Sequence, residues 1–227
     1  MNNDNLKIAV YLVLAILILL FYTKDIDLFG KNFYKDIEEI TEPDIIDVLV
    51  NKKYKLPNDY VPNDLEPINV KYANANKLLR KEAKEAFENL SEEALNEGYK
   101  IIAVSAYRDY DYQNNLYEEY VTTSGMEYAD KCSARAGHSE HQTGLAVDVM
   151  GSNNDYNLFV DTKEFTWLKD NAYKYGFILR YPENKEKITG FKYEPWHYRY
   201  VGKVVADTIY KENLTLEEYY DKYINLN

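Results

Sequence analysis

Within 227 residues there is one cysteine and only three histidines. With Cys132 alone, no disulfide can form within the chain, so its core must hold the fold together. No glycine-rich phosphate loop is present, which removes the common nucleotide-cradling motifs. The HExxH pattern is missing too, so two metal-binding imidazoles cannot come from one helix face. Positive charge is scarce: 27 Lys and Arg face 38 Asp and Glu, giving a formal charge of −11. That balance excludes a general nucleic-acid or anionic-membrane partner for the folded part. The acids are spread along the chain, as on a solvated surface, and neither internal repeats nor low-complexity stretches occur.

What is present suits one domain plus an appendage. Hydrophobic residues make up 46%, enough for a core, and 24 are tyrosines, whose apolar body and polar tip suit strands and pocket walls. The appendage is N-terminal. Residues 8–22, "IAVYLVLAILILLFY", carry no charge, and with Leu6 and Thr23 the run nears the lower limit for spanning a bilayer. The bulky, charged "FYTKDIDLFG" that follows offers no small-residue cleavage site, and no cysteine is placed for lipid attachment. The expectation is an uncleaved membrane anchor at 1–24, a tether at 25–45 and a domain at 46–227; a signal peptide or a buried helix are the alternatives. Lys7 and Lys24 give no charge bias from which to read orientation.

Along the domain, "IIDVLV" (45–50) is a strand candidate, and apolar residues from Leu78 to Leu95 recur at helical spacing with Gly98 as a stop. "YKIIAVSAY" reads as a strand and "YDYQNNLYEEYV" as a helix. "GLAVDVM" reads as a strand, "KEFTWLKDNAYKY" as a helix closed by Gly176, and "FILRY" as a strand. "FKYE" and "HYRYV" flank Pro195 as short strands, and two helices finish the chain, the second opened by a Thr215-to-Glu218 capping box. Without a regular βαβ rhythm, the fold class is α+β, a small mainly antiparallel sheet flanked by helices.

Two short stretches hold most of the chemistry. In "SEHQTGLAVD" (139–148), a strand reading puts Gly144, Ala146 and Asp148 on one face and Leu145, Val147 and Val149 on the other. Small residues beside an acid suit a pocket floor, although a solvated strand face would look the same. "YEPWH" (193–197) adds a second histidine and an acid. His141, Asp148 and His197 together make two imidazoles and a carboxylate, a donor set that suits catalytic zinc with a position left for water. Glu194, three residues before His197, is then placed as a general base. Taken singly, His141 reads as a loop residue and His197 as a core histidine.

These motifs resemble the VanY-type D,D-carboxypeptidases and the wider LAS group of zinc peptidases. "SEHQTGLAVD" is similar to the group's SxHxxGxAxD pattern and "EPWH" to its ExxH pattern. "SAYRDYDYQ" (105–113), "CSARAGHSEHQTG" (132–144) and "GFILRYP" (176–182) resemble further segments in the same order, so the likeness runs over residues 46–202. Ala136 stands where a proline is usual and Ala106 where a glycine is usual. The resemblance implies a LAS/hedgehog-like zinc peptidase fold, with His141, Asp148 and His197 as zinc ligands and Glu194 as base. It implies that Arg108 stabilises the oxyanion, that Ser139 and Gln113 bind substrate backbone, and that Arg135 takes the substrate carboxylate. His138 falls outside the pattern, and Arg180 and Arg199 read as structural. The implied activity is removal of the C-terminal D-alanine from peptidoglycan stem peptides, outside the cytoplasm. The alternatives are an L,D-carboxypeptidase, an endopeptidase, and a non-catalytic hedgehog-like binding module.

Overall fold

The computed structural model describes residues 33–151, 155–156 and 158–224. The expected anchor at 1–24 lies outside them, and among the described residues no helix is long and apolar enough to cross a membrane. Among the described residues, those from Asp36 onward form one compact unit.

Four strands make the central sheet: β5 (Ile102–Ser105), β6 (Ala146–Met150), β8 (His197–Tyr200) and β7 (Phe177–Leu179), in that spatial order and antiparallel throughout. Two small pairs precede it: β1 (Glu38–Glu39) runs parallel to β2 (Tyr54–Lys55), and β3 (Leu65–Pro67) antiparallel to β4 (Leu78–Arg80). The expected α+β class with a mainly antiparallel sheet is what the chain adopts.

One face of the sheet is apolar. Val147 and Val149 of β6 and Tyr198 and Tyr200 of β8 pack with α1 (Lys81–Asn96) and α4 (Lys163–Asn171). Helix α1 buries Ala83, Phe87, Leu90 and Ala94 at three- and four-residue spacing, so its apolar stripe is continuous. Strand alternation sends Ala146 and Asp148, and His197 and Arg199, to the opposite face. That face is buried as well, so the alternative of a solvated strand face does not hold.

Several boundaries differ from expectation, each for a tertiary reason. Residues 78–80 pair with Leu65–Pro67 and do not open the helix. The 45–50 stretch is turn and irregular chain: Ile46 and Val48 turn their carbonyls to the Arg199 guanidinium, so side chains take the place of a strand ladder. "FKYE" forms no strand. Gly144 lies outside β6, in the left-handed region at φ 66°, where it turns the chain into the strand. A Cβ there would come within 2.7 Å of Leu65, so only glycine fits. Gly176 closes the α4 segment at φ 85°, where a Cβ would meet Tyr200 at 2.6 Å. The capping box at Thr215 and Glu218 forms as expected and opens α7 (Leu216–Tyr219).

Candidate active site

Sheet register brings the chemistry together. Asp148 in β6 lies directly opposite His197 in β8 and Ser105 in β5. His141 comes from the 3-10 turn Glu140–Thr143 just before β6, a turn whose four residues are all buried. Ser139 caps that turn by accepting from the His141 amide at 3.3 Å. Glu194 and His197 share one tight turn, in which the His197 amide donates to the Glu194 carbonyl at 3.2 Å with Pro195 between them. Arg108 follows β5, and its amide donates to the His141 carbonyl at 3.2 Å.

The two imidazoles stand perpendicular, 4.9 Å apart between centroids. His141 turns Nδ1 to the Ala106 carbonyl at 2.7 Å, which leaves Nε2 facing Asp148 at 3.4 Å. His197 is arranged the other way round: Nδ1 lies 3.0 Å from Asp148 Oδ1 and Nε2 lies 3.4 Å from Glu140 Oε2. These contacts assign the tautomers: His141 offers Nε2 and His197 offers Nδ1. His141 Nε2 and Asp148 Oδ1 are buried and make no hydrogen bond. Buried polar atoms are rarely left so. The three donor atoms lie within 4.8 Å of one another. Separations of 3.0 and 3.4 Å from Asp148 are close to the edge of about 3.3 Å expected for a tetrahedron with bonds of 2.0–2.1 Å. The residues present therefore fit a zinc ion.

Charge is polarised across the cluster. Burial, helped by the Arg108 charge, pushes His141 down to about 4. With no metal bound, burial would lower His197 as well, but the neighbouring Asp148 and Glu140 carboxylates outweigh it and hold the ring near 9. For Asp148, burial is outweighed by the two histidines, which keep it well below the usual carboxylate range. Glu194 has its Oε2 3.7 Å from His197 Nδ1, and burial raises it to about 7.

The cluster forms the floor of a cleft of about 600 Å³, lined by Arg108, Ser139, Glu194 and six tyrosines: 112, 120, 128, 156, 181 and 193. Those tyrosines explain part of the unusual composition: they supply apolar area for a ligand and phenol groups for its polar edges. The Arg108 guanidinium reaches Ser105 Oγ at 3.5 Å, and its buried Nε makes no hydrogen bond.

Two expected site residues lie elsewhere. Gln113 is buried behind the wall, where its amide donates to the Ala134 carbonyl at 2.7 Å and to Ser133 Oγ at 3.3 Å, so it shapes two lining residues and does not itself line the cleft. Arg135 is also off the cleft, in a bidentate pair with Asp130 at 3.0 and 2.9 Å. His138 turns Nδ1 to the Asn51 carbonyl at 2.8 Å, away from the metal donors.

One residue escaped the sequence reading. Glu140 is fully buried and accepts from Arg180 at 2.7 Å and Arg199 at 2.9 Å through Oε1. Its trace in the sequence is indirect: Arg180 and Arg199 interrupt otherwise apolar strands, and two buried guanidinium groups require a buried acid.

The family description "VanY: D-alanyl-D-alanine carboxypeptidase" matches residues 76–203. The protein named Putative carboxypeptidase YodJ, of Bacillus subtilis (strain 168), is 46% identical over 193 residues, covering 82% of this chain and 71% of its own. The solved LdcB LD-carboxypeptidase superposes with a TM-score of 0.78 at 43% identity, covering 85% and 97% of the two chains. VanYB in complex with D-alanine-D-alanine gives 0.68 at 34% identity, over 78% and 98%. The D,D-pentapeptidase VanY of a VanB-type resistance cassette, in complex with Zn(II), gives 0.66 at 34%, over 77% and 98%.

Proposed function

The chain belongs to the VanY D-alanyl-D-alanine carboxypeptidase family, and from that premise we propose that it is a zinc-dependent carboxypeptidase that releases the C-terminal D-alanine from peptidoglycan stem peptides. The observation that carries the reading is the buried His141, Asp148 and His197 trio, with two donor atoms left without hydrogen bonds, at the floor of a peptide-sized cleft. Zinc held by these three residues would supply Lewis acidity and a water acidic enough to ionise near neutral pH.

The remaining steps fall to the chain's own groups. Glu194 accepts the proton as the water's oxygen bonds to the scissile carbonyl carbon, then returns it to the departing amine as the C–N bond breaks. Arg108, with a free buried Nε, donates to the oxyanion that develops meanwhile. Ser139 presents its polar groups from the cleft wall to the peptide backbone. A hedgehog-like binding role has no need of Glu194 and Arg108 beside the trio, and their presence supports an enzyme.

Two specificities share this chemistry. The family description supports the D,D reading, in which a pentapeptide loses its last residue. The greater likeness to LdcB, in identity and in coverage, favours the L,D reading, in which a tetrapeptide does. Purified full-length protein incubated with defined penta- and tetrapeptide muropeptides, and followed by mass spectrometry, separates the two. Loss of one D-alanine, abolished by a chelator and restored by zinc, is the expected result. No hydrolysis of either peptide by zinc-loaded protein sinks the proposal. We propose further that the uncharged run 8–22 anchors the chain with its domain outside the cytoplasm, where the substrate lies. Protein that leaves the membrane fraction in a high-salt wash refutes that placement.

A further inference from the structure

On the far side of the His197 ring, bordering the cleft through Glu140, lies a buried ionic cluster that the hydrolysis described above does not use. Glu140 is its centre. One oxygen is held by Arg180 and Arg199, and the other faces His197 Nε2 at 3.4 Å. Each arginine is fixed in turn. Arg199 donates to the carbonyls of Ile46, Val48 and Tyr200 at 3.0, 2.8 and 3.0 Å. Arg180 makes a bidentate pair with Glu217 of α7 at 2.9 and 2.7 Å, and Glu217 also accepts from the Asn51 amide at 3.3 Å. Glu140, Arg180 and Arg199 have no exposed side-chain surface. The segments that hold the arginines from outside, around Ile46 to Asn51 and at Glu217, lie beyond residues 76–203, to which the family description matches.

We propose that Glu140 is a positioning residue of the metal centre: it accepts a hydrogen bond from the Nε2–H of His197, fixes Nδ1 as the atom that faces Asp148, and strengthens that nitrogen as a metal donor. The physical basis is general. A ligating imidazole is oriented, and its donor atom made more basic, by a carboxylate on its other nitrogen. Glu140 can do this only while it stays ionised and still, and the two arginines, anchored by Glu217 and by the backbone, keep it so. The inference rests on the reading of His197 as a zinc ligand.

The rival explanation is that Glu140 only neutralises two buried arginines. Zinc affinity, measured by competition with a chromophoric chelator, and the visible spectrum of the cobalt(II)-substituted protein distinguish the two without recourse to activity. Glu140→Gln is expected to weaken zinc binding about 10- to 100-fold and to shift the cobalt bands. Because that variant leaves one guanidinium charge unbalanced, the double variant Glu140→Gln with Arg199→Met is measured beside it. It keeps the Arg180–Glu217 pair and restores neutrality, so it is expected to regain melting temperature while the affinity loss persists. Wild-type zinc affinity and cobalt spectrum in either variant overturns the proposal. Recovery of affinity together with stability in the double variant overturns it as well. Wild-type affinity in His197→Ala would refute the ligand assignment itself, a separate failure that the same titration identifies.

Discussion

Two buried polar clusters meet at the His197 ring, and they are built on opposite terms. Toward the cleft, His141 Nε2, Asp148 Oδ1 and Arg108 Nε are buried without hydrogen bonds. On the Nε2 side of the ring, Glu140, Arg180 and Arg199 leave no buried side-chain atom unpaired. Desolvating a polar group without a partner costs about 1–3 kcal/mol, and the first arrangement gathers three such atoms at one cleft floor, where a bound group can receive them. The second is complete within the protein. Incompleteness thus marks the reactive side of the ring, and saturation the supporting side.

The contrast predicts that substitutions on the cleft side cost rate and that loss of an arginine on the saturated side costs stability. The largest effect is expected from Glu194→Gln, which keeps shape but cannot accept a proton. Turnover should fall about 10²- to 10⁴-fold while zinc content and melting temperature stay unchanged. Near-normal turnover would take Glu194 off the reactive side. Next is Arg199→Ala, which strips a buried partner from Glu140 and should cost about 3–5 kcal/mol in denaturant unfolding. A loss below about 1 kcal/mol would mean that the saturated cluster is not what secures this face. Arg108→Ala should lower kcat about 10²- to 10³-fold with zinc retained, and lysine should rescue it only in part, since an ammonium lacks the planar fork. A raised KM with kcat unchanged would instead make Arg108 a ground-state anchor.

The smallest effect concerns His138, which joins the saturated side through Asn51. Burial, with Lys55 and Arg135 nearby, holds its pKa below 6.5 in the folded protein, although the Asn51 carbonyl opposes this. The unfolded chain therefore takes up the proton first. Stability from this group is complete above about pH 6.5 and is lost as the pH falls through the folded value, with a slope of at most about 1.4 kcal/mol per unit. His138→Asn should flatten the acid limb of a stability-against-pH curve, and an unchanged limb would assign that slope to other groups.

The cleft side was largely legible in the sequence because its residues sit in short, closely spaced motifs. His141 and Asp148 are seven apart, Glu194 and His197 three apart, and the turn and strand that carry them are local. Register did the rest, since alternation along β6 and β8 sends Asp148 and His197 to one face. The saturated side was nearly invisible because its members are far apart in the chain: Arg199 binds Ile46 and Val48 across some 150 residues. For the same reason Gln113 and Arg135 could not be placed. Their motif marks them as close to the site, but which way a side chain faces depends on partners such as Asp130 and Ala134 that only folding supplies. Residues 78–80 continue the helical spacing, and only pairing with 65–67 makes them a strand.

The placement of Asp148 between Ser105 and His197 has a consequence for how the protein can fail. Side chains alternate along a strand, so sliding β6 by one residue would turn Asp148 into the apolar layer and bring Val147 to the cleft. No intermediate register yields a feebler hydrolase. A chain that mispairs in this sheet loses its core and its metal donors in one step, so folding yields either the complete site or none.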